Sequence, residues 1–192
     1  MPALFTVGHS TRTAEELIGL LRENGIEALV DVRRYPGSRR FPQFSRDALA
    51  ASLAAAGIVY RHEPDLGGRR AAKPGAPPSP HSAWRVEAFR AYADYMETPE
   101  FQAALERLIG LASGSTVAIL CAEAVPWRCH RRLISDALVA RSIPGMEVRH
   151  ILGPRRTDRH ELDANARIEP GGRLVYDGPA APQGELFPVS RD

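Results

Sequence analysis

Ile26-Glu27-Ala28-Leu29-Val30-Asp31-Val32 is the stretch on which the fold turns. Its apolar residues, Ile26, Ala28, Leu29, Val30 and Val32, follow one another too closely for a strand with one wet face. Such a run reads as a strand buried on both sides, as in parallel sheets covered by helices. Working outward, Leu4 to Val7 is a short apolar strand closed by Gly8. Thr13-Ala14-Glu15-Glu16 is a capping box, and Leu17, Leu20 and Leu21 follow at helical spacing until Asn24-Gly25 ends the helix. Ser45 to Ala56 reads as a helix stopped by Gly57, and Ile58 to Tyr60 as a third strand. Residues around Trp84 to Met96 are helical, and Thr98-Pro99-Glu100 opens another helix with proline in its first turn. Val117 to Cys121 is the most apolar strand, followed by a helix from Cys129 to about Ala140 and a last strand from Val148 to Leu152. This alternation predicts one α/β domain over residues 1–152, with a mostly parallel sheet covered by helices on both faces. Glu63 to Pro80 is a long loop in which eight of 18 residues are Gly or Pro, the composition of a lid or a mobile segment. From Gly153 on, ten of 40 residues are Gly or Pro, and residues 153–192 are expected to be a tail, partly ordered at most.

Composition narrows the class. At 192 residues, 44% hydrophobic and 25% charged, the chain is globular and sized for one well-cored domain. The longest apolar run, Val117 to Ala122, is six residues, so no transmembrane helix and no membrane partner are expected. Met1-Pro2-Ala3-Leu4 lacks the start of a secretion signal, and Cys121 and Cys129 are too few to staple the domain, which predicts a cytoplasmic protein. The net charge is only +2, yet Lys73 is the sole lysine, so 24 of the 25 basic residues are arginine, the bidentate binder of phosphate and carboxylate.

A parallel sheet collects the carboxyl ends of its strands along one edge, where ligands bind. That edge would gather His9 and Ser10 after the first strand, Asp31, Arg33, Arg34 and Tyr35 after the second, and His62 and Glu63 after the third. Cys121 and Glu123 would follow the fourth, with Cys129, His130 and Arg131 opening the next helix. Gly8-His9-Ser10 is a tight turn whose backbone N–H groups could face an anion. Asp31 is either a general base or the partner that holds Arg33. The segment Arg34 to Phe44 interleaves arginines with Tyr35, Phe41 and Phe44, a mixture that suits phosphates and bases and also suits a solvated loop.

Cys121-Ala122-Glu123 and Cys129-His130-Arg131 form the sharpest local feature. Cys129 beside His130, Arg128, Arg131 and Arg132, near a helix start, should favour its thiolate. It is read as a nucleophile, as a metal ligand with Cys121 and a histidine, or as a small packed side chain while Glu123, His130 and Arg131 act on the ligand, the last being preferred. No cofactor is expected. A metal ion at Cys121 and Cys129 is disfavoured, since a fourth ligand is not obvious and adjacent Cys and His rarely face one ion. A phosphatase loop does not fit either, because Arg128 comes one position too late after Cys121.

Thr6-Val7-Gly8-His9-Ser10, Asp31-Val32-Arg33, Leu66-Gly67-Gly68, Tyr92 to Met96, and the two cysteine motifs together resemble the bacterial domain-of-unknown-function family 488, in its order from Thr6 to about Ile151. The resemblance implies a compact α/β domain of prokaryotic origin and assigns no chemistry. In the tail, Gln183-Gly184-Glu185-Leu186-Phe187 resembles the pentapeptide that binds bacterial sliding clamps, with Gln183, Leu186 and Phe187 as the contacts and Gly184 in place of the usual leucine.

These residues support three expectations. The first is an enzyme, a hydrolase on nucleic acid or a nucleotide, with Asp31, Glu123, His9, His130 or Cys129 as catalytic groups and Ser10, Arg33, Arg34, Tyr35 and Arg131 holding the substrate. The second is a Cys129-dependent enzyme on a small anionic substrate. The third is a non-catalytic module that binds nucleic acid or protein.

Overall fold

A computed structural model describes residues 3–37, 39–72, 75 and 77–178. The chain runs β1 (Ala3–Gly8), α1 (Ala14–Glu23), β2 (Ala28–Asp31), α2 (Arg46–Ala55), β3 (Val59–His62), α3 (Glu87–Met96), α4 (Pro99–Ala112), β4 (Val117–Cys121), α5 (Arg131–Ala140), β5 (Glu147–Gly153), β6 (Arg156–Arg159), β7 (Ala166–Ile168) and β8 (Leu174–Tyr176). Six strands form one sheet in the order β3-β2-β4-β1-β5-β6, parallel throughout except for the antiparallel β5–β6 pair. It is the α/β domain the strand pattern predicts.

Side chains alternate across each strand, so the sheet carries two cores. Phe5, Val7, Leu29, Ala118, Leu120 and Ile151 face α1 and α2, where Leu17, Leu21, Leu49 and Leu53 meet them. Leu4, Val30, Val117, Ile119 and Val148 face α3, α4 and α5. The chain steps outward from β1 through β2 to β3 with its helices on the first side, then returns through β4 to β5 with its helices on the second. The loops after β1 and β2 therefore leave the edge in the opposite direction from the loop after β4, which lies between them. This is a topological switch point, where open α/β sheets place their ligands.

The capping box of α1 is present: Glu16 N donates to Thr13 Oγ1 at 3.1 Å, and Thr13 N to Glu16 Oε2 at 2.7 Å. The region read as a tail, partly ordered at most, is described as far as residue 178. Residues 156–159 add β6 to the sheet edge, and β7 and β8 form a separate two-stranded ribbon. Tyr176 from that ribbon is wholly buried, packed at a tilt against Trp84 and His81 and bonded to Asp136. Strands of three or four residues among Gly and Pro give too short a period to read from sequence. The pentapeptide residues Gln183, Leu186 and Phe187 lie outside the described residues. No helix among the described residues is long and apolar enough to cross a membrane.

Candidate active site at the carboxyl edge

Two glycines let the edge close up. A Cβ on Gly8 would lie 1.8 Å from the Glu123 carbonyl oxygen, so only glycine lets β1 pass the loop after β4. His9 N and Ser10 N then donate to the carbonyls of Cys121 (3.0 Å) and Ala122 (2.9 Å). These N–H groups, read from the sequence as facing an anion, are instead spent in extending the β1–β4 ladder. Ser10 takes a left-handed conformation (φ 48°) to make the turn.

The polar residues reach the edge as two clusters on opposite faces, divided by strand parity. On the α1/α2 face, the buried Asp31 is enclosed by donors. It accepts from Arg33 Nε (2.8 Å), Arg33 Nη2 (2.5 Å), Arg33 N (3.1 Å) and Tyr60 Oη (2.8 Å). With its lone pairs engaged it acts as the partner that holds Arg33, the second of the two roles read from sequence. Arg33 Nη1 in turn donates to His9 Nε2 at 3.3 Å, and His9 Nδ1 donates to the Ser10 carbonyl at 3.0 Å. The His9 ring stacks on Phe44 at 4.3 Å between centroids. Burial, then the Arg33 charge, lower the His9 pKa to about 4, so its imidazole is neutral. Tyr60, which the sequence reading did not single out, is thereby part of the cluster.

On the α3/α4/α5 face, Cys121 ends β4 and Cys129 follows a short 3-10 turn, Pro126–Arg128. Cys129 is extended (φ −135°, ψ 148°) and His130 is helical (φ −57°, ψ −16°). That change of backbone lets neighbouring side chains converge. His130 Nδ1 lies 3.6 Å from Cys129 Sγ and 3.9 Å from Cys121 Sγ. Adjacent Cys and His, a pair expected to face one ion only rarely, here turn their donor atoms toward each other and toward Cys121. His130 Nε2 donates to the Val32 carbonyl at 3.2 Å, and since a carbonyl only accepts, the proton of the neutral ring is on Nε2 and the Nδ1 lone pair faces the sulfurs. Burial pushes the Cys129 thiol up, but the Cys121 S–H donated to it and the nearby Arg131 charge pull the other way and hold Cys129 well below the usual thiol range. Its hydrogen bond to Cys129, then burial, push Cys121 well above that range.

Gly68 covers the His130 side of this cluster. A Cβ on Gly68 would lie 2.8, 3.1 and 3.3 Å from His130 Nδ1, Cγ and Cε1. That spacing puts Gly68 over the ring face and leaves the in-plane lone pair to the thiols. The opening part of the long loop is pinned rather than free: Tyr92 and Tyr95 donate to the carbonyls of Leu66 (2.7 Å) and Asp65 (2.8 Å), and the Arg70 guanidinium sits 3.6 Å above the Tyr95 ring.

Arg131, expected to hold substrate, is 1% exposed and points inward. Its Nη2 donates to the Glu123 carbonyl (2.5 Å), fixing the loop after β4, and its Nη1 donates to Thr6 Oγ1 (3.3 Å). Thr6 begins a buried chain the sequence reading did not find. Thr6 Oγ1 donates to His150 Nδ1 (2.8 Å), His150 Nε2 to His160 Nδ1 (2.9 Å), and His160 Nε2 to Asp136 Oδ1 (2.8 Å). Tyr176 Oη closes it on Asp136 Oδ2 at 2.9 Å. The polarity is fixed by its ends, a guanidinium that only donates and a carboxylate that only accepts.

Glu123 is half-buried at the rim, and among the described residues its carboxylate accepts only a long 3.4 Å contact from Val125 N. Tyr35 (63% exposed) and Trp127 (54% exposed) stand out on the loops after β2 and β4. The Arg34 guanidinium lies 5.4 Å from the Tyr35 ring and donates to the Arg69 carbonyl. A cavity of about 330 Å³ opens beside His62 and Glu63, lined also by Val30, Arg61, Arg107 and Leu108.

No curated protein and no solved structure matches the chain. The sequence model described as "Domain of unknown function DUF488" matches residues 13–138, well over half of the chain and including the aspartate, glycine and cysteine motifs above, and the chain belongs to that family.

Proposed function

We propose that the carboxyl edge binds nucleic acid or a nucleotide and that the protein acts there as a hydrolase. The observation that carries this reading is the pair of exposed aromatics, Tyr35 and Trp127, on the two loops that diverge at the switch point, each set among arginines. An exposed ring is a stacking platform for a base, and neighbouring guanidinium groups suit the phosphates. Arg34, Arg39 and Arg40 lie on the Tyr35 side, with Arg39 and Arg40 exposed. Arg33 and Arg131 are buried and serve as positioning residues.

Glu123 is the acid best suited to activate water. It stands at the rim, and no guanidinium lies on its carboxylate among the described ion pairs, whereas Asp31 is fully engaged. His9, neutral at physiological pH and held by Arg33, could accept a proton at Nε2 only by displacing that contact. A nucleophilic Cys129 is less favoured, because the residue is only 4% exposed and Gly68 packs on the neighbouring His130 ring. The test is fluorescence anisotropy with single-stranded DNA, duplex DNA and RNA over a salt series. Tyr35→Ala and Trp127→Ala should each weaken binding about 5- to 150-fold, the worth of one stacked base. Glu123→Gln should retain binding and lose cleavage of the polymer that binds. No salt-dependent binding to any of the three would overturn the reading.

A further inference from the structure

We propose that Cys121 Sγ, Cys129 Sγ and His130 Nδ1 are three ligands of a divalent metal site of the zinc class, with a fourth, exchangeable position for water. The inference stands apart from the nucleic-acid reading, since it uses none of the rim residues.

The three donor atoms all lie within 4.8 Å of one another. Zinc bonds of about 2.3 Å to sulfur and 2.0–2.1 Å to nitrogen, set at tetrahedral angles, put sulfur and nitrogen about 3.5–3.6 Å apart. The observed separations, 3.6 and 3.9 Å, need a closing movement of a few tenths of an ångström at most. The imidazole is already in the ligating state: Nε2 is committed to the Val32 carbonyl, the outer-sphere bond that orients metal-bound histidines and fixes their tautomer. Gly68 covers the ring face without entering the ligand plane. Two thiolates and one imidazole form a soft, partly closed donor set that selects zinc over magnesium or calcium.

The surroundings also account for charge. Binding M²⁺ needs both sulfurs as thiolates: any proton still on them, that of Cys121 above all, goes to solvent, and the two thiolates neutralise the ion without any change of oxidation state. Three donor atoms of metal-ligating type converge on one point, where small apolar side chains would serve packing alone. The ligands come from the end of β4 and the start of α5, which the sheet and helix hold rigidly, so the site needs no folding around the ion.

The experiment uses the full chain, purified without chelator and analysed for metal and intact mass. One zinc per chain is expected, and apo protein should take up Co²⁺ with intense tetrahedral d–d bands and a thiolate-to-cobalt charge-transfer band. Cys121→Ser, Cys129→Ser and His130→Gln should each reduce bound zinc to background, with folding checked by circular dichroism. Because a ligand variant could lose metal by unfolding, the wild-type protein supplies a second readout: zinc should protect both thiols from alkylation under native conditions. Metal absent from the wild type and not taken up on reconstitution, an octahedral cobalt spectrum lacking the thiolate band, or alkylation unaffected by zinc would each overturn the proposal.

Discussion

Replacing Thr6 by valine tests the buried chain that joins Arg131 to Asp136. The two side chains are nearly the same shape, so the change removes one hydroxyl from a site with no solvent access and leaves the packing otherwise intact. That hydroxyl accepts from Arg131 Nη1 at 3.3 Å and donates to His150 Nδ1 at 2.8 Å. Its loss orphans one charged donor and one imidazole acceptor, each costing about 1–3 kcal/mol when buried without water. The added methyl recovers less than about 1 kcal/mol, so the net destabilisation should be about 1–6 kcal/mol. For a chain of this length, that corresponds to a fall in Tm of about 2–24 °C. Urea unfolding followed by the fluorescence of Trp84 and Trp127 measures it. A double-mutant cycle with His150→Leu should show a coupling above about 1 kcal/mol, because both residues serve the same chain. A loss below about 0.5 kcal/mol, or additive effects in the cycle, would show that Arg131 is not satisfied through Thr6 and would refute the chain as described.

The same chain should make stability depend on pH. Burial, then the neighbouring His160 and the Arg131 charge, lower the His150 pKa to about 3, against about 6.5 unfolded, so the unfolded state binds the extra proton. The stability His150 contributes is complete above pH 6.5 and falls as pH drops toward 3, with a slope of about 1.4 kcal/mol per pH unit that His150→Leu should abolish; denaturation curves between pH 6.5 and 4.5 report it. Asp31→Ala leaves the buried Arg33 guanidinium unpaired and should cost about 3–5 kcal/mol in chemical denaturation, while a loss under 1 kcal/mol would mean Asp31 does not hold Arg33. Gly68→Ala drives a methyl against His130 and should disturb metal uptake more than it lowers Tm, which cobalt titration beside calorimetry would separate. Gly8→Ala, whose Cβ would strike backbone, should prevent stable folding, and a soluble variant with native circular dichroism would contradict the close approach.

Much of the fold was legible because its signals are local. The β2 run, the Thr13 capping box and the Val117–Cys121 strand each carry their own periodicity or cap, and β4 matches its expected limits. Residues 156–176 were not legible, because their strands are short and held by tertiary contacts such as Tyr176 with Asp136. At the site, strand order brings the expected residues to one edge, but parity then divides them. Leu29 faces α1 and α2, so Asp31 does too, whereas Ile119 faces the opposite helices and takes Cys121 with it. That division was open to the same alternation rule used to find the strands. The engagement of Arg33 and Arg131 was not, since only side-chain geometry separates a substrate-binding arginine from one spent on Asp31 or on the Glu123 carbonyl. Thr6, His150, His160 and Asp136 lie far apart in sequence, so no spacing announces their chain.

The two buried polar clusters have a common consequence at the edge. Such groups cost stability unless every donor and acceptor is met, and apolar residues would fill the same volume more simply. Here most of the donors and acceptors are met in a directed way, the buried Arg131 Nε being left without a partner. Asp31 turns Arg33 toward His9, and the chain from Asp136 draws Arg131 beneath the Glu123 loop. Each arrangement fixes the loop that leaves β1 or β4, and Gly8 lets those loops touch. The rim is therefore held from below on both faces of the sheet, with His130 tied across to Val32 between them. A fold that needed only packing would gain nothing from this rigidity at one edge. A site that must hold Glu123, Trp127 and the Cys121–Cys129–His130 cluster in register would gain the preorganisation on which binding and catalysis depend.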